Sequence, residues 1–369
     1  MVASELNLDR QHFLAEHWQK KPLLIPAALS NFEVPISADE LAGLALEDEV
    51  ESRIIEYHEG QWRLQHGPLT PEDFDRTPPW TLLVQAVDHY IPAVAELRQL
   101  IDFIPQWRVD DVMVSYAVDG GSVGPHYDNY DVFLLQGEGQ RLWKLGQSCD
   151  SQSATLPHDS LRILTEFHTE KEFLLNPGDI LYVPPGVAHW GIAQGECTTF
   201  SIGFRAPRIN DMLSRWADTT LEQLDSELFY TDPEFSNDSN RPGEISRQER
   251  DQVRRLLLSA VDKLDAGNWF GELVTEPRYP VIDEGEDVSL ASESGGILYL
   301  LAEAKLAWQE DEGGITVFSN GESLQFQLEV LELLVKLCET REIEAEALPT
   351  TEGRRLLDFL QRTGAVHVQ

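Results

Sequence analysis

Apolar positions in the first hundred residues form short groups with different spacings. Over 9–19, Phe13, Leu14 and Trp18 share one side of a predicted amphipathic helix, which Lys20, Lys21 and Pro22 end. Leu23, Leu24 and Ile25 predict a short strand. Ser37 with Glu40 has the spacing of a capping box and opens a helix through Leu44. Ile54, Ile55 and Tyr57, the turn His58-Glu59-Gly60 and then Trp62 predict a hairpin over 53–65. Residues 81–103 read as helical, with Pro92 opening the second half.

From Asp110 the pattern changes to brief β-rich runs separated by glycine and proline. Eight strands are predicted, over 110–118, 123–128, 131–136, 140–146, 171–175, 179–183, 187–193 and 197–205. Asp119-Gly120-Gly121 and Gly137-Glu138-Gly139 supply turns. Eight antiparallel strands so spaced imply an α+β protein with a jelly-roll, or cupin-type double-stranded β-helix, core. After Pro207 the leucine-rich stretches 208–230 and 245–265 predict helices, with polar loops over 231–244 and 281–296. Helices near 323–339 and 351–363 and a strand at 365–368 suggest a winged-helix-like module. The expected division is a catalytic domain over 1–207, a helical dimerisation region over 208–270 and a C-terminal module over 271–369. Apolar positions in the two middle helices outnumber what one barrel flank buries, so a homodimer is expected.

Composition narrows the function. The chain has 369 residues, 42% hydrophobic, and a formal net charge of −36. Such acidity opposes binding to nucleic acid or anionic membrane and favours a basic partner. Three dispersed cysteines fit a reducing compartment. The polar opening residues and the lack of a long apolar stretch predict a soluble, cytoplasmic protein.

The chemistry concentrates in Gly124-Pro125-His126-Tyr127-Asp128 and in Gly178 to His189, which contains the corner Pro184-Pro185-Gly186. On a strand, His126 and Asp128 would share a face. With His189 they give two imidazoles and a carboxylate. That set holds Fe(II) on one side and leaves positions for a bidentate co-substrate and dioxygen. A lone H-x-D arises readily by chance, and a lone His189 could be a surface or core residue; the conjunction on a predicted jelly roll favours the triad. Arg141, in the strand Arg141-Leu142-Trp143-Lys144-Leu145, could pair in bidentate fashion with a co-substrate carboxylate, or be a solvated edge-strand residue. Alternation puts Arg141, Trp143 and Leu145 on one face and Lys144 on the other. Ser115, Tyr127 and Tyr182 are possible supporting donors.

These motifs resemble the JmjC-type ribosomal oxygenases, and within them the bacterial branch that hydroxylates an arginine of a large-subunit ribosomal protein. The resemblance spans essentially the whole chain. It rests on the Phe13-to-Ile25 opening with Trp18-Gln19-Lys20-Lys21-Pro22, on Gly124 to Asp128, on Gln140-Arg141-Leu142-Trp143, and on Pro184-Pro185-Gly186 with His189. Ala193 stands where many cupins have an asparagine. The resemblance implies Fe(II) on His126, Asp128 and His189, and 2-oxoglutarate anchored by Arg141. It also implies oxidation of a substrate C–H by dioxygen, with release of succinate and CO2. Asp119, on the turn seven residues before His126, is then a candidate partner for the substrate guanidinium, or an ordinary turn aspartate. A metal-binding cupin of another class, a winged-helix nucleic-acid binder, and a JmjC-type demethylase or histidyl hydroxylase are the other readings.

Overall fold

The structure is a computed structural model, and it describes residues 6–77, 79–234, 243–262, 264, 267–279, 296–344 and 350–368. The chain opens with α1 (Arg10–Glu16), β1 (Leu23–Ile25) and α2 (Ala38–Leu44). Asp9 caps α1, and Ser37 with Glu40 closes the expected capping box on α2. The hairpin follows as β2 (Ser52–His58) and β3 (Gln61–His66), turning on Glu59 and Gly60, both at positive φ.

The expected helix over 81–103 is replaced in its first part by β4 (Trp80–Val84). All five β4 residues are buried, so the run lacks the alternation that marks a half-exposed strand. A short helix α3 (Pro92–Ala95) and 3-10 turns complete that region, with Pro92 in the first helical turn as expected.

The barrel strands are β5 (Val109–Ala117), β6 (Val132–Gln136), β7 (Gln140–Ser148), β8 (Lys171–Leu175), β9 (Ile180–Val183), β10 (Val187–Gln194) and β11 (Cys197–Phe204). Seven of the eight predicted strands are therefore present. The eighth, over 123–128, is an extended loop with only an isolated bridge between His126 and His189. Pro125 has no N–H to donate, and Gly124 sits at φ +83, so a regular ladder cannot run through this segment.

The large sheet has the order β1-β9-β6-β11-β5-β4-β2-β3, and the small one β10-β7-β8. Val132, Leu134, Trp143, Leu145, Leu175, Leu181 and Val183 fill the space between them. The other face of the large sheet packs on the N-terminal elements. Phe13 of α1 is fully buried there, 4.9 Å from the Tyr182 ring centroid. This is the jelly roll expected from the strand spacing.

Beyond the barrel come α4 (Ile209–Thr220), α5 (Arg247–Val261) and α6 (Trp269–Thr275). The expected loop over 231–244 lies partly, and that over 281–296 almost wholly, outside the described residues. The border expected at 270/271 falls inside α6, which packs on the following module. That module contains β12 (Ile297–Leu300), β13 (Leu306–Asp311), β14 (Gly314–Ser319), β15 (Glu322–Phe326), α7 (Leu331–Thr340), β16 (Glu342–Glu344), α8 (Thr351–Arg362) and β17 (Val366–Val368). The helix expected over 323–339 begins only at Leu331, because β15 takes its first residues. The strands form the sheets β16-β12-β17 and β13-β14-β15 around Phe326, Leu334, Leu356 and Phe359.

Candidate metal and co-substrate site

Three segments converge between the sheets. Residues 120–126 run back along β10: Gly120 N–H donates to Ala193 O, Ala193 N–H to Gly121 O, and Trp190 Nε1–H to Ser122 Oγ. His126 and His189 then exchange both backbone bonds, at 3.0 and 2.8 Å. The Pro184-Pro185-Gly186 corner fixes the third segment, since Gly186 N–H donates to Asp128 O at 2.8 Å. Gly186 has φ +77, a conformation that a side chain resists.

The side chains follow from this frame. The two imidazole centroids lie 4.3 Å apart, and His189 Nε2 is 3.5 Å from Asp128 Oδ2. One ligand atom from each of His126, Asp128 and His189 falls within 4.8 Å of the others. Each histidine Nδ1 is bonded to a backbone carbonyl, that of Gly124 for His126 and of Val187 for His189, both at 2.9 Å. A carbonyl can only accept, so each Nδ1 carries a proton, which leaves Nε2 as the nitrogen that can ligate a metal. Burial, aided by the His126 ring, pushes the His189 imidazole down to about 4, which keeps it neutral. The donor set of two imidazoles and one carboxylate fits Fe(II) with open positions.

Arg141 lies on β7, opposite Ala193 of β10, and is 5% exposed. Its Nη1 donates to Ser115 Oγ at 3.3 Å. Its Nε and Nη2 are buried with no protein acceptor among the described residues. Two unpaired N–H groups of a buried guanidinium fit a bound carboxylate. Lys144 points the other way, paired with Glu172 at 3.2 Å.

The remaining predicted residues fall elsewhere. Tyr127 OH donates outward to Asp150 O, and Tyr182 OH donates to Asp131 Oδ1, so neither supports the site. Asp119 is exposed on the loop after β5, where its Oδ1 accepts from Gly195 N–H at 2.7 Å. That loop borders the Arg141 end of β10. His189 is four residues back along the strand, roughly 13 Å. Sequence reasoning missed Ser122. This buried hydroxyl accepts from both Gly124 N–H and Trp190 Nε1–H and so ties together the two histidine-bearing segments. Its one visible signal was its position just before the Gly124 motif.

A jelly roll with two histidines and an aspartate gathered in this way defines a JmjC-type cupin, and the JmjC domain profile matches residues 96–212. A ROXA-like winged-helix profile matches 257–364, and an AraC-like ligand-binding profile matches 167–266. The chain is 39% identical to the ribosomal protein uL16 3-hydroxylase of Escherichia coli K12, over 74% of each chain. It is 33% identical to a probable ribosomal oxygenase of Haemophilus influenzae, over 87% of this chain and 83% of that one. The structure of the E. coli ribosomal oxygenase YcfD in complex with cobalt and 2-oxoglutarate superposes with a TM-score of 0.82, 32% identity and 99% coverage of both chains. The chain belongs to the ribosomal oxygenase family.

Proposed function

We propose that this protein is an Fe(II)- and 2-oxoglutarate-dependent hydroxylase acting on an arginine side-chain carbon of a large-subunit ribosomal protein. The observation that carries the reading is the gathered triad beside a buried guanidinium with unpaired N–H groups. Support for the co-substrate comes from the YcfD complex, and for the substrate from the name of the E. coli relative. The relative of Aedes aegypti named as a bifunctional lysine-specific demethylase and histidyl-hydroxylase matches 48% of this chain.

His126 Nε2, His189 Nε2 and an Asp128 oxygen would hold the iron, and Arg141 would take the distal carboxylate of 2-oxoglutarate. Ser115 keeps the guanidinium in place by accepting from Nη1. Iron and 2-oxoglutarate, when bound, would supply the oxidation, with one atom of dioxygen inserted into the substrate C–H bond and the other carried into succinate as CO2 is released. The protein's own part is to keep both imidazoles oriented through their Nδ1 hydrogen bonds and to present the target carbon.

Asp119 is our candidate contact for the substrate guanidinium, with one carboxylate oxygen held by Gly195 and the other available. The −36 net charge favours encounter with a basic substrate. Residues 301–369 carry 6 basic and 13 acidic side chains, which suits the C-terminal module to protein rather than phosphate contact. No described helix is long and apolar enough to cross a membrane. We place the protein in the cytoplasm with its substrate, as a homodimer. The test is mass spectrometry of ribosomal proteins incubated with the protein, Fe(II) and 2-oxoglutarate. One added oxygen on an arginine is expected; oxidation of histidine or lysine alone would contradict the substrate assignment.

A further inference from the structure

β7 presents another buried donor between Arg141 and the metal ligands. Its register against β10 sets Arg141 opposite Ala193, Trp143 opposite Gly191 and Leu145 opposite His189. Trp143 therefore sits midway. Its ring centroid is 5.9 Å from the Arg141 guanidinium carbon and 5.9 Å from the His189 ring centroid. The indole is 4% exposed, and its Nε1 is fully buried without a protein acceptor among the described residues.

The ring is held in this place by its six-membered part, which lies against Gly191. A Cβ at position 191 would come within 2.8–3.0 Å of Cη2, Cζ3 and Cζ2, so only glycine leaves room for the six-membered ring. The indole Nε1 belongs to the five-membered ring, two bonds from Cζ2. Buried N–H groups in native interiors almost always have an acceptor. Here three unpartnered donor atoms, Arg141 Nε and Nη2 and Trp143 Nε1, lie on consecutive inward positions of one strand. Such a row calls for an anion with several oxygen atoms along its length.

We propose that the Trp143 indole N–H donates a hydrogen bond to 2-oxoglutarate, as a neutral contact between the guanidinium anchor and the metal. This rests on the co-substrate reading above. A dicarboxylate held by Arg141 at one end and the metal at the other passes Trp143. The indole donor adds affinity without adding charge.

Trp143→Phe removes the N–H and keeps an aromatic ring on Gly191. Calorimetry on zinc-loaded protein is expected to show 2-oxoglutarate affinity reduced about tenfold, the usual scale of a hydrogen bond to a charged group, with zinc affinity unchanged. Equal 2-oxoglutarate affinity in the variant and the wild type would overturn the Trp143 contact alone. Failure of the zinc-loaded wild type to bind 2-oxoglutarate would instead overturn the co-substrate reading. A second measurement needs no substitution. Among the nine indole N–H resonances of the nitrogen-15-labelled, zinc-loaded wild type, one is expected to move downfield on adding 2-oxoglutarate. A spectrum in which no indole signal moves would overturn the proposal.

Discussion

His189 shows how one residue's surroundings decide its chemistry. At 2% exposure it has no water to stabilise a positive charge, and the Val187 carbonyl fixes its Nδ1 proton, so its Nε2 is a ready ligand. Asp111 on β5 is the converse case, a carboxylate that burial disfavours. It is 4% exposed, and burial pushes its carboxyl up to about 6 even though Gln85 Nε2 donates to it at 2.7 Å. Its unfolded value is about 3.9. Between those values the folded chain holds a proton that the unfolded chain has released. The resulting stabilisation is complete below about pH 4 and is lost as pH rises through 6. Asp111→Asn keeps an acceptor for Gln85 and removes the titration. Urea unfolding at pH 5 and pH 7, both above the sequence pI of about 4.5, should show the variant gaining roughly 1 kcal/mol on the wild type over that interval. Parallel pH profiles would show that Asp111 does not carry this proton.

At the scale of elements, alternation along β7 separates two cations three residues apart. Arg141 is buried with unpaired N–H groups, whereas Lys144 pairs with a half-exposed Glu172. Arg141→Ala should raise the KM for 2-oxoglutarate by an amount equivalent to about 2–5 kcal/mol. Lys144→Ala should shift it by less than about 1 kcal/mol, as for other surface ion pairs. Equal effects of the two changes would contradict the strand register. This contrast was legible in the sequence because β7 is a half-buried strand with a period of two. So were the capped helix at Ser37, the hairpin at Glu59-Gly60 and six further barrel strands. The misread segments share a cause. β4 is buried on both faces and β15 runs directly into helical residues, so neither shows a strand's alternation with clean ends. His126 and Asp128 were grouped on the premise of a strand that the structure lacks. They meet because His126 pairs with His189 and Gly186 holds the Asp128 backbone. Such long-range contacts leave no local periodic trace, and Ser122 escaped notice for the same reason.

Across the whole molecule, the C-terminal module is fastened to the barrel by buried charges. Lys305 Nζ donates to the Val109 and Asp110 carbonyls at the start of β5, and Arg98, paired with Asp88 at 3.2 Å, reaches Ala302 O. The helices between barrel and module are far less enclosed. α5 is a capped 15-residue helix with no buried residue, and Leu257 is 62% exposed. Val253, Leu258 and Val261 on α5, and Ile209 and Leu213 on α4, are exposed as well. Symmetric pairing of two chains would bury this apolar surface. Sedimentation should give twice the 41.7 kDa chain mass, and Leu257→Asp should shift the protein toward monomer; a wild-type monomer at micromolar concentration would contradict the pairing. The central claim, that the gathered triad is the metal centre of a 2-oxoglutarate-dependent hydroxylase, has a more direct test. Succinate release and oxygen incorporation into the ribosomal protein substrate should be measured together for the wild type, His126→Ala and Asp128→Ala. The account predicts matched amounts of both products from the wild type and neither from folded variants. Undiminished turnover in either variant would contradict it.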